Sequence, residues 1–343
     1  MRHLLNTLFV TTQGAGLHRD GETVLVRVKK EIKLRVPIHT LGGIICFGRV
    51  WCSSPLMELC GRRNVTISFL SERGKFYARV QGPVSGNVLL RREQYRRADE
   101  DLKAAAIARA VVIGKVSNCR AVLLRAVRDH GAEIDASSLE MAAAQMARIM
   151  DDIRRPEPIA IIRGKEGEAA RVYFGVFDRL IVSQKEDFFF RERSRRPPLD
   201  NTNALMSFIY TLLLHDVASA CEAVGLDPAV GYLHRDRPGR PGLALDLMEE
   251  LRPYIADRLV LSLVNRQQVR GSGFKKTETG AVVMDDATRK EVLVAYQKRK
   301  QEEIRHPFLD EKIAVGLLPF VQALLLARHL RGDLDGYPPF LWK

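Results

Sequence analysis

The chain is short of the residues that build disulfide and zinc frameworks. Its five cysteines, Cys46, Cys52, Cys60, Cys119 and Cys221, form no C-x-x-C pair, and an odd number cannot all pair within one chain. Zinc knuckles and disulfide scaffolds are disfavoured, and a reducing cytoplasm is the expected compartment. Long apolar runs are missing as well: no stretch reads as long and apolar enough to span a bilayer, so no membrane is expected. The N-terminal run 1–7 is broken by polar residues before a signal-peptide core can form, and no small-residue cleavage site follows. Acidic residues are the minority charge, 41 against 54 Lys and Arg, which leaves a formal net charge of +13. That balance favours a polyanionic partner such as nucleic acid, the plainer reading being a merely basic surface.

Several catalytic signatures are absent. The run Gly271-Ser272-Gly273-Phe274-Lys275-Lys276-Thr277 has Lys276 where a phosphate loop needs its second glycine, and Gly14-Ala15-Gly16 meets Arg19 where a dinucleotide fingerprint needs its third. No G-x-S-x-G elbow or obvious cysteine nucleophile occurs, which argues against covalent hydrolases. Paired Glu-x-x-His motifs are also missing, which argues against a di-iron carboxylate bundle.

What is present fits an α+β protein of two domains. With 343 residues, 46% of them hydrophobic, the chain can bury a full core, and its hydrophobic period changes once. Residues 4–10, 23–28, 44–48, 65–70 and 75–80 read as strands punctuated by glycines, with one short helix, 56–60, capped by Ser54-Pro55 and stopped at Gly61. The run 81–87 has linker chemistry. From residue 88 the period is helical, and helices are expected over 89–113, 119–130, 138–153, 167–182, 203–224, 243–264, 286–303 and 308–330. The domains are therefore a small N-terminal β-rich one, 1–84, and a larger all-α one, 88–343. The biased run Arg191-Glu192-Arg193-Ser194-Arg195-Arg196 reads as a basic loop ahead of a helix capped by Asp200 or Asn201.

Two constellations carry candidate chemistry. In Gly164-Lys165-Glu166-Gly167-Glu168-Ala169-Ala170-Arg171, read as opening a helix, Glu166 shares the inward stripe of Ala169, Ala170, Tyr173, Phe177 and Leu180. A carboxylate on that face either caps its own helix or binds something. The second runs from Gly231-Tyr232-Leu233-His234, through a basic loop with Arg235, Arg237 and Arg240, to Leu245-Asp246-Leu247-Met248-Glu249-Glu250-Leu251-Arg252-Pro253. Asp246 and Glu249 are one turn apart on one face, and Pro253 cannot donate to the Glu249 carbonyl, so a kink is expected there. His234 heads a tight loop rather than an apolar stripe. Two carboxylates and an imidazole form a hard donor set suited to magnesium or manganese, while a D-x-x-E pair alone is also an ordinary solvated spacing.

The ordered blocks G-x-E-G-x-A-A-R-x-Y-F, N-A-L-x-S-F-x-Y, G-x-L-H and L-A-L-D-L-M-E-E-x-R-P, with the closing Tyr337-Pro338-Pro339-Phe340, resemble the CRISPR-associated Cas1 family of integrases and endonucleases, most closely its I-C subtype. The resemblance covers nearly the whole chain. It implies that Glu166, His234 and Glu249 are metal ligands and catalytic residues. Asp246 is left as a further ligand, a partner of His234 or a DNA-proximal carboxylate. Asn203, Ser207 and Tyr210 would lie beside the site, able to bond ligands or phosphate, or else to serve as a cap and an interhelical contact. The resemblance further implies insertion of short foreign DNA into a CRISPR repeat array by 3′-hydroxyl attack, a homodimer formed through the β domains, and two such dimers flanking a dimer of the small partner Cas2. DNA contacts are expected from Arg163, Lys165, Arg171, Arg235, Arg237, Arg240, Lys275 and Lys276. The rival expectation is a non-catalytic architectural DNA-binding protein.

Overall fold

The computed structural model describes residues 5–72, 74–80, 82, 88–131 and 134–342. Two compact units divide the chain, Met1–Gly86 and Asn87–Lys343. The linker read at 81–87 falls outside the described residues except for Gly82, as does the start of the first expected strand, Leu4.

The first unit comprises β1 (Asn6–Val10), β2 (Gly16–Asp20), β3 (Thr23–Val28), β4 (Glu31–Pro37), β5 (Leu41–Phe47), β6 (Trp51–Cys52), α1 (Ser54–Arg62), β7 (Thr66–Leu70) and β8 (Phe76–Val80). The strands form two four-stranded sheets, ordered β1-β5-β7-β8 and β4-β3-β2-β6. Strands β1, β5 and β7 run parallel, and β8 closes their sheet antiparallel. A single core draws on Leu17 and Val24 from one sheet, Ile44 and Ile67 from the other, and Leu56 and Leu59 from α1.

The sequence pattern finds β1, β3, β5, β7 and β8 and misses β2, β4 and β6. Strands β4 and β6 are edges, and Ile32 and Leu34 of β4 stay 41% and 44% exposed, so core burial does not dictate their pattern. Helix α1 also departs from expectation. Ser53 rather than Ser54 flanks it, without a side-chain cap bond, and it runs through Gly61 to Arg62.

The second unit holds α2 (Val88–Asp99), α3 (Asp101–His130), α4 (Ala136–Asp152), α5 (Ile159–Val176), α6 (Asn201–Ala223), α7 (Gly242–Leu251), α8 (Arg258–Asn265), a hairpin of β9 (Phe274–Lys276) and β10 (Val282–Met284), α9 (Asp286–Gln301), a hairpin of β11 (Glu303–Arg305) and β12 (Lys312–Ala314), and α10 (Leu318–Leu330). The two small hairpins were not expected. The second of them occupies residues assigned to the start of a helix at 308, so α10 begins ten residues later.

Three further corrections bear on the site. The expected break at 114–118 does not exist: the chain breaks at Glu100, and α3 runs unbroken for 30 residues. Its polar residues Lys115 and Asn118 lie on a buried face and are satisfied there, so they mimic a break without making one. Helix α5 begins at Ile159 rather than 167, which places Glu166 two turns inside and removes the capping reading. Helix α6 contains an 18-residue window with the length and mean hydropathy, 1.5, of a membrane span, contrary to expectation. Of that window 67% is buried inside the structure, where α6 packs on α7 and α10 as a core helix.

Pro253, where a kink is expected, lies in a change of helix type. Residues Arg252–Asp257 form a π-helical turn between α7 and α8, so the lost backbone bond widens the helix locally.

Candidate metal centre and nucleic-acid interface

Helix α3 is the pillar of the second unit, packing against α4, α5 and α7. Gly114 permits the close approach of α7, because a Cβ there would lie 3.0 Å from the Glu250 and Pro339 side chains. The next residue, Lys115, enters the space where α3, α5 and α7 meet. That space is the floor of a cavity of about 480 Å³ lined by Glu166 from α5, His234 from the loop before α7, Glu249 from α7, and Arg252 and Asp257 from the π turn.

Asp246 organises the loop. Its Oδ2 accepts the backbone N–H groups of Tyr232 (2.5 Å) and Leu233 (2.9 Å), and its Oδ1 accepts that of His234 (3.0 Å). The His234 ring adds a fourth bond from Nδ1 to Oδ1, 2.7 Å. Four donors from the loop use up this buried carboxylate, and with Nδ1 engaged the ring turns its other nitrogen, Nε2, away from Asp246. Nε2 faces Glu249 Oε1 at 3.8 Å. The loop neck is pinched at Gly231, where a Cβ would stand 2.6 Å from the Gly242 backbone and 2.7 Å from Asp246 Oδ2. Arg163 braces the same loop by donating to the Leu233 carbonyl at 2.6 Å.

Glu249 is 2% exposed, yet it is ringed by cations. Arg252 Nη1 reaches Oε1 at 2.5 Å, and Lys115 Nζ forms an ion pair with Oε2 at 2.7 Å. Lys115 also donates to Glu166 Oε1, bridging the two carboxylates. Burial pushes the Glu249 carboxyl up, but Arg252, Lys115 and His234 overcome it and hold it well below the usual carboxylate range. Burial likewise pushes the Lys115 ammonium down, and Glu249 and Glu166 reverse the sign and hold it charged. Among the described residues, no three acidic, cysteine or histidine side chains are gathered closely enough to hold an ion as they stand, since an ammonium lies between the carboxylates. A divalent ion nevertheless fits the donor set. Two carboxylates from separate helices already share one cation, and an imidazole tied through Nδ1 turns its Nε2 toward the second of them.

Tyr210 stands one side chain further out. The Arg252 guanidinium lies over its ring at 5.1 Å, and its hydroxyl donates to Asp257 at 2.6 Å. Burial raises the Asp257 carboxyl to about 6. Asn203 and Ser207 turn away to the basic loop: Asn203 accepts from Arg193 and donates to the Glu192 carbonyl, Ser207 accepts from Arg193, and Asp200 caps the helix through the Asn203 N–H. Their contacts are those of a helix start tied to the loop ahead of it, not a polar contact between helices.

The cavity mouth is basic. Arg163, Arg235, Arg237 and Arg240 line it, joined by Arg195, which the sequence reading did not select. The other expected DNA contacts lie off it. Lys165 pairs with Asp152 and Glu168, Arg171 is exposed, and Lys275 and Lys276 sit exposed on β9. Lys115, Arg252 and Asp257 were also missed. Lys115 carried a signal, since it falls on the buried stripe Ala108, Val111, Val112, Cys119, Val122, where a lysine is out of place.

The fold and site define a two-unit α+β protein whose helical unit presents an acidic, histidine-bearing cavity to a basic rim. Residues 8–298 match the family model described as CRISPR associated protein Cas1. The chain is 56% identical to a CRISPR-associated endonuclease Cas1 of Rhodospirillum rubrum and 54% identical to one of Chlorobaculum tepidum, with all of both chains covered in each pair. It shares the fold of a CAS1 protein from Thermotoga maritima (TM-score 0.82, 23% identity, 98% of this chain and 100% of that one) and of a casposase bound to integration product (0.84, 21%, 99% and 95%). A Cas6-RT-Cas1–Cas2 complex also contains it (0.81, 19%, 99% of this chain and 36% of that one). The chain belongs to the Cas1 family, the CRISPR-associated endonucleases and integrases of spacer acquisition, which are typically metal-dependent nucleases.

Proposed function

We propose that this cavity is where DNA strands are cut and joined, with Glu166, His234 and Glu249 holding one divalent ion, magnesium or manganese. The observation that carries the reading is the convergence of Glu166 and Glu249 on one shared cation beside a histidine whose Nδ1 is tied to Asp246. A bound ion there supplies Lewis-acid polarisation of the scissile phosphate and readies the attacking hydroxyl. Asp246 fixes the His234 ring so that Nε2 serves as ligand, and Arg252, braced on Tyr210, keeps Glu249 ionised. A DNA 3′-hydroxyl in line with the phosphate gives integration of a new spacer at the repeat, and water in its place gives nicking. The reverse reaction disintegrates a branched product.

Arg163, Arg195, Arg235, Arg237 and Arg240 receive the backbone phosphates at the cavity mouth. Arg171, Lys275 and Lys276 extend the track, and Lys165, engaged by two carboxylates, adds least. Replacing Arg235, Arg237 and Arg240 by Ala weakens binding to all duplexes alike and lowers the salt slope by about 1 for each phosphate no longer neutralised. An unchanged slope removes them from the interface.

The β unit forms the homodimer, a role supported by its exposed Ile32, Leu34, Trp51, Phe76 and Tyr77. Two dimers flank a Cas2 dimer in the cytoplasm, with duplex DNA across the assembly. The wording of the sequence blocks supports the I-C subtype, which predicts preferential integration at repeats of that subtype over others.

The site is tested by incubating the chain with Cas2, short duplex DNA, a supercoiled repeat plasmid and Mg²⁺ or Mn²⁺. Glu166→Ala, His234→Ala and Glu249→Ala each lower integration about 100-fold or more while DNA binding persists. Integration at the wild-type rate by any of them removes that residue from the site.

A further inference from the structure

Lys115 marks where Glu166 and Glu249 converge, but the reading above gives it no role once an ion is bound. Its ammonium lies between Glu166 and Glu249, its side chain is 10% exposed, and it is carried on the middle of the unbroken helix α3. We infer that Lys115 is a resident counter-cation that occupies the metal position in the DNA-free protein and yields it to a divalent ion when phosphate arrives. The inference rests on the metal site proposed above.

The argument is one of charge and space. Glu166 and Glu249 bring two negative charges, and Lys115 and Arg252, which touch them, bring two positive ones, so these four side chains sum to zero, with Asp257 beside Tyr210 and Asp246 behind His234 as further acids outside that contact. A divalent ion entering with both cations still present leaves the cluster at plus two, inside a rim that already carries arginines. Metal alone therefore meets an occupied position and two cations already in contact with the carboxylates it would bind. DNA phosphates supply the compensating negative charge. The lysine stem is flexible and Lys115 lines the cavity, so its ammonium can leave the carboxylates for an incoming phosphate oxygen without any movement of α3. Metal and DNA then bind with positive coupling, and by linkage each strengthens the other. Arg252 does not share this role, because its guanidinium is stacked on Tyr210.

The test measures Mn²⁺ binding to the full chain by calorimetry or by electron paramagnetic resonance of free Mn²⁺, with and without a short duplex. The proteins compared are wild type, Lys115→Met, Lys115→Arg and His234→Ala. Without DNA, Lys115→Met binds Mn²⁺ roughly tenfold tighter than wild type, the scale on which groups around a metal tune its affinity, and duplex DNA strengthens its binding less than it does that of wild type. Lys115→Arg, which keeps the charge, shows no such tightening. Equal or weaker binding by Lys115→Met, while His234→Ala still weakens binding, overturns the inference and leaves the site reading intact. Wild-type Mn²⁺ binding that His234→Ala does not weaken overturns both.

A second measurement needs no variant. Reductive methylation of the wild-type chain, read by peptide mass spectrometry, modifies Lys115 several-fold more in saturating Mn²⁺ than without it, while Lys165 is unchanged. Lys115 equally protected in both states overturns the inference.

Discussion

Helix α7 puts two adjacent glutamates into opposite environments. Glu249 faces the cavity, where Arg252 and Lys115 touch it and His234 stands close by. Glu250 faces the C-terminal tail: Tyr337 OH and Gln322 Nε2 donate to its Oε1, and the Phe340 N–H reaches its Oε2 at 2.8 Å. Both are buried, and burial alone pushes either carboxyl up. Cations win at Glu249 and hold it down at about 2, whereas neutral donors only soften the effect at Glu250, whose carboxyl rises to about 7. Buried acid is therefore no sign of a metal ligand by itself. What separates the two faces is whether positive charge has been collected around the carboxylate.

The largest expected effect breaks the comparison most directly. If Glu249 holds the ion as proposed, Glu249→Gln lowers strand transfer about 100-fold or more, because the amide takes a negative charge away from the donor set. Glu250→Gln keeps hydrogen-bonding capacity toward the tail and stays within a few-fold of wild type. Plasmid integration assays on both variants, each first checked for a cooperative melt, decide the matter. Equal losses would mean that the two faces of α7 do not divide labour as described.

Stability against pH gives the next contrast. A carboxyl whose folded value is raised stays protonated in the fold while the unfolded chain ionises. Stability contributed by Glu250 is therefore greatest below about 4.5 and is lost as pH climbs through about 7. Glu249 has the opposite sign: its contribution is present above 4.5 and is lost as pH falls toward 2. Between pH 4.5 and 7 the wild type should lose on the order of 3 kcal/mol relative to Glu250→Gln, measured by urea melts across that range. A flat difference would show that Glu250 is ionised throughout.

The contrast between Glu249 and Glu250 was not legible from sequence, whereas much of the fold around it was. The β-to-α change of period and the placing of Asp246 and Glu249 on one helix follow from rules of side-chain direction, and the structure has both; at Pro253, where a kink is expected from the lost backbone bond, it has a π turn. The errors cluster where polar residues serve tertiary partners. Lys115 and Asn118 read as a helix break because apolar periodicity assumes that buried faces are apolar. Here Lys115 answers carboxylates on two other helices, and Asn118 answers the Glu250 and Phe340 carbonyls. Glu166 read as a helix start for the same reason, with Gly164, Lys165 and Gly167 beside it. Such partners are distant in sequence, and no local pattern contains them. The grouping of Lys115, Glu166 and Glu249 appears only once α3, α5 and α7 are packed.

The tail face yields the smallest and most discriminating effect. Tyr337→Phe keeps the buried ring and removes one hydroxyl, which donates to Glu250 and accepts from Gln322 Nε2 at 2.8 Å. Loss of one such bond costs about 1 kcal/mol, somewhat more while Glu250 is ionised, so the deficit in a urea melt should widen above pH 7. Strand transfer by the folded variant should match wild type, because Glu249 remains held by Arg252 and Lys115. A fall in transfer without a matching fall in stability would mean that the tail, through Glu250, sets the position of Glu249, and the two faces of α7 would then act as one device.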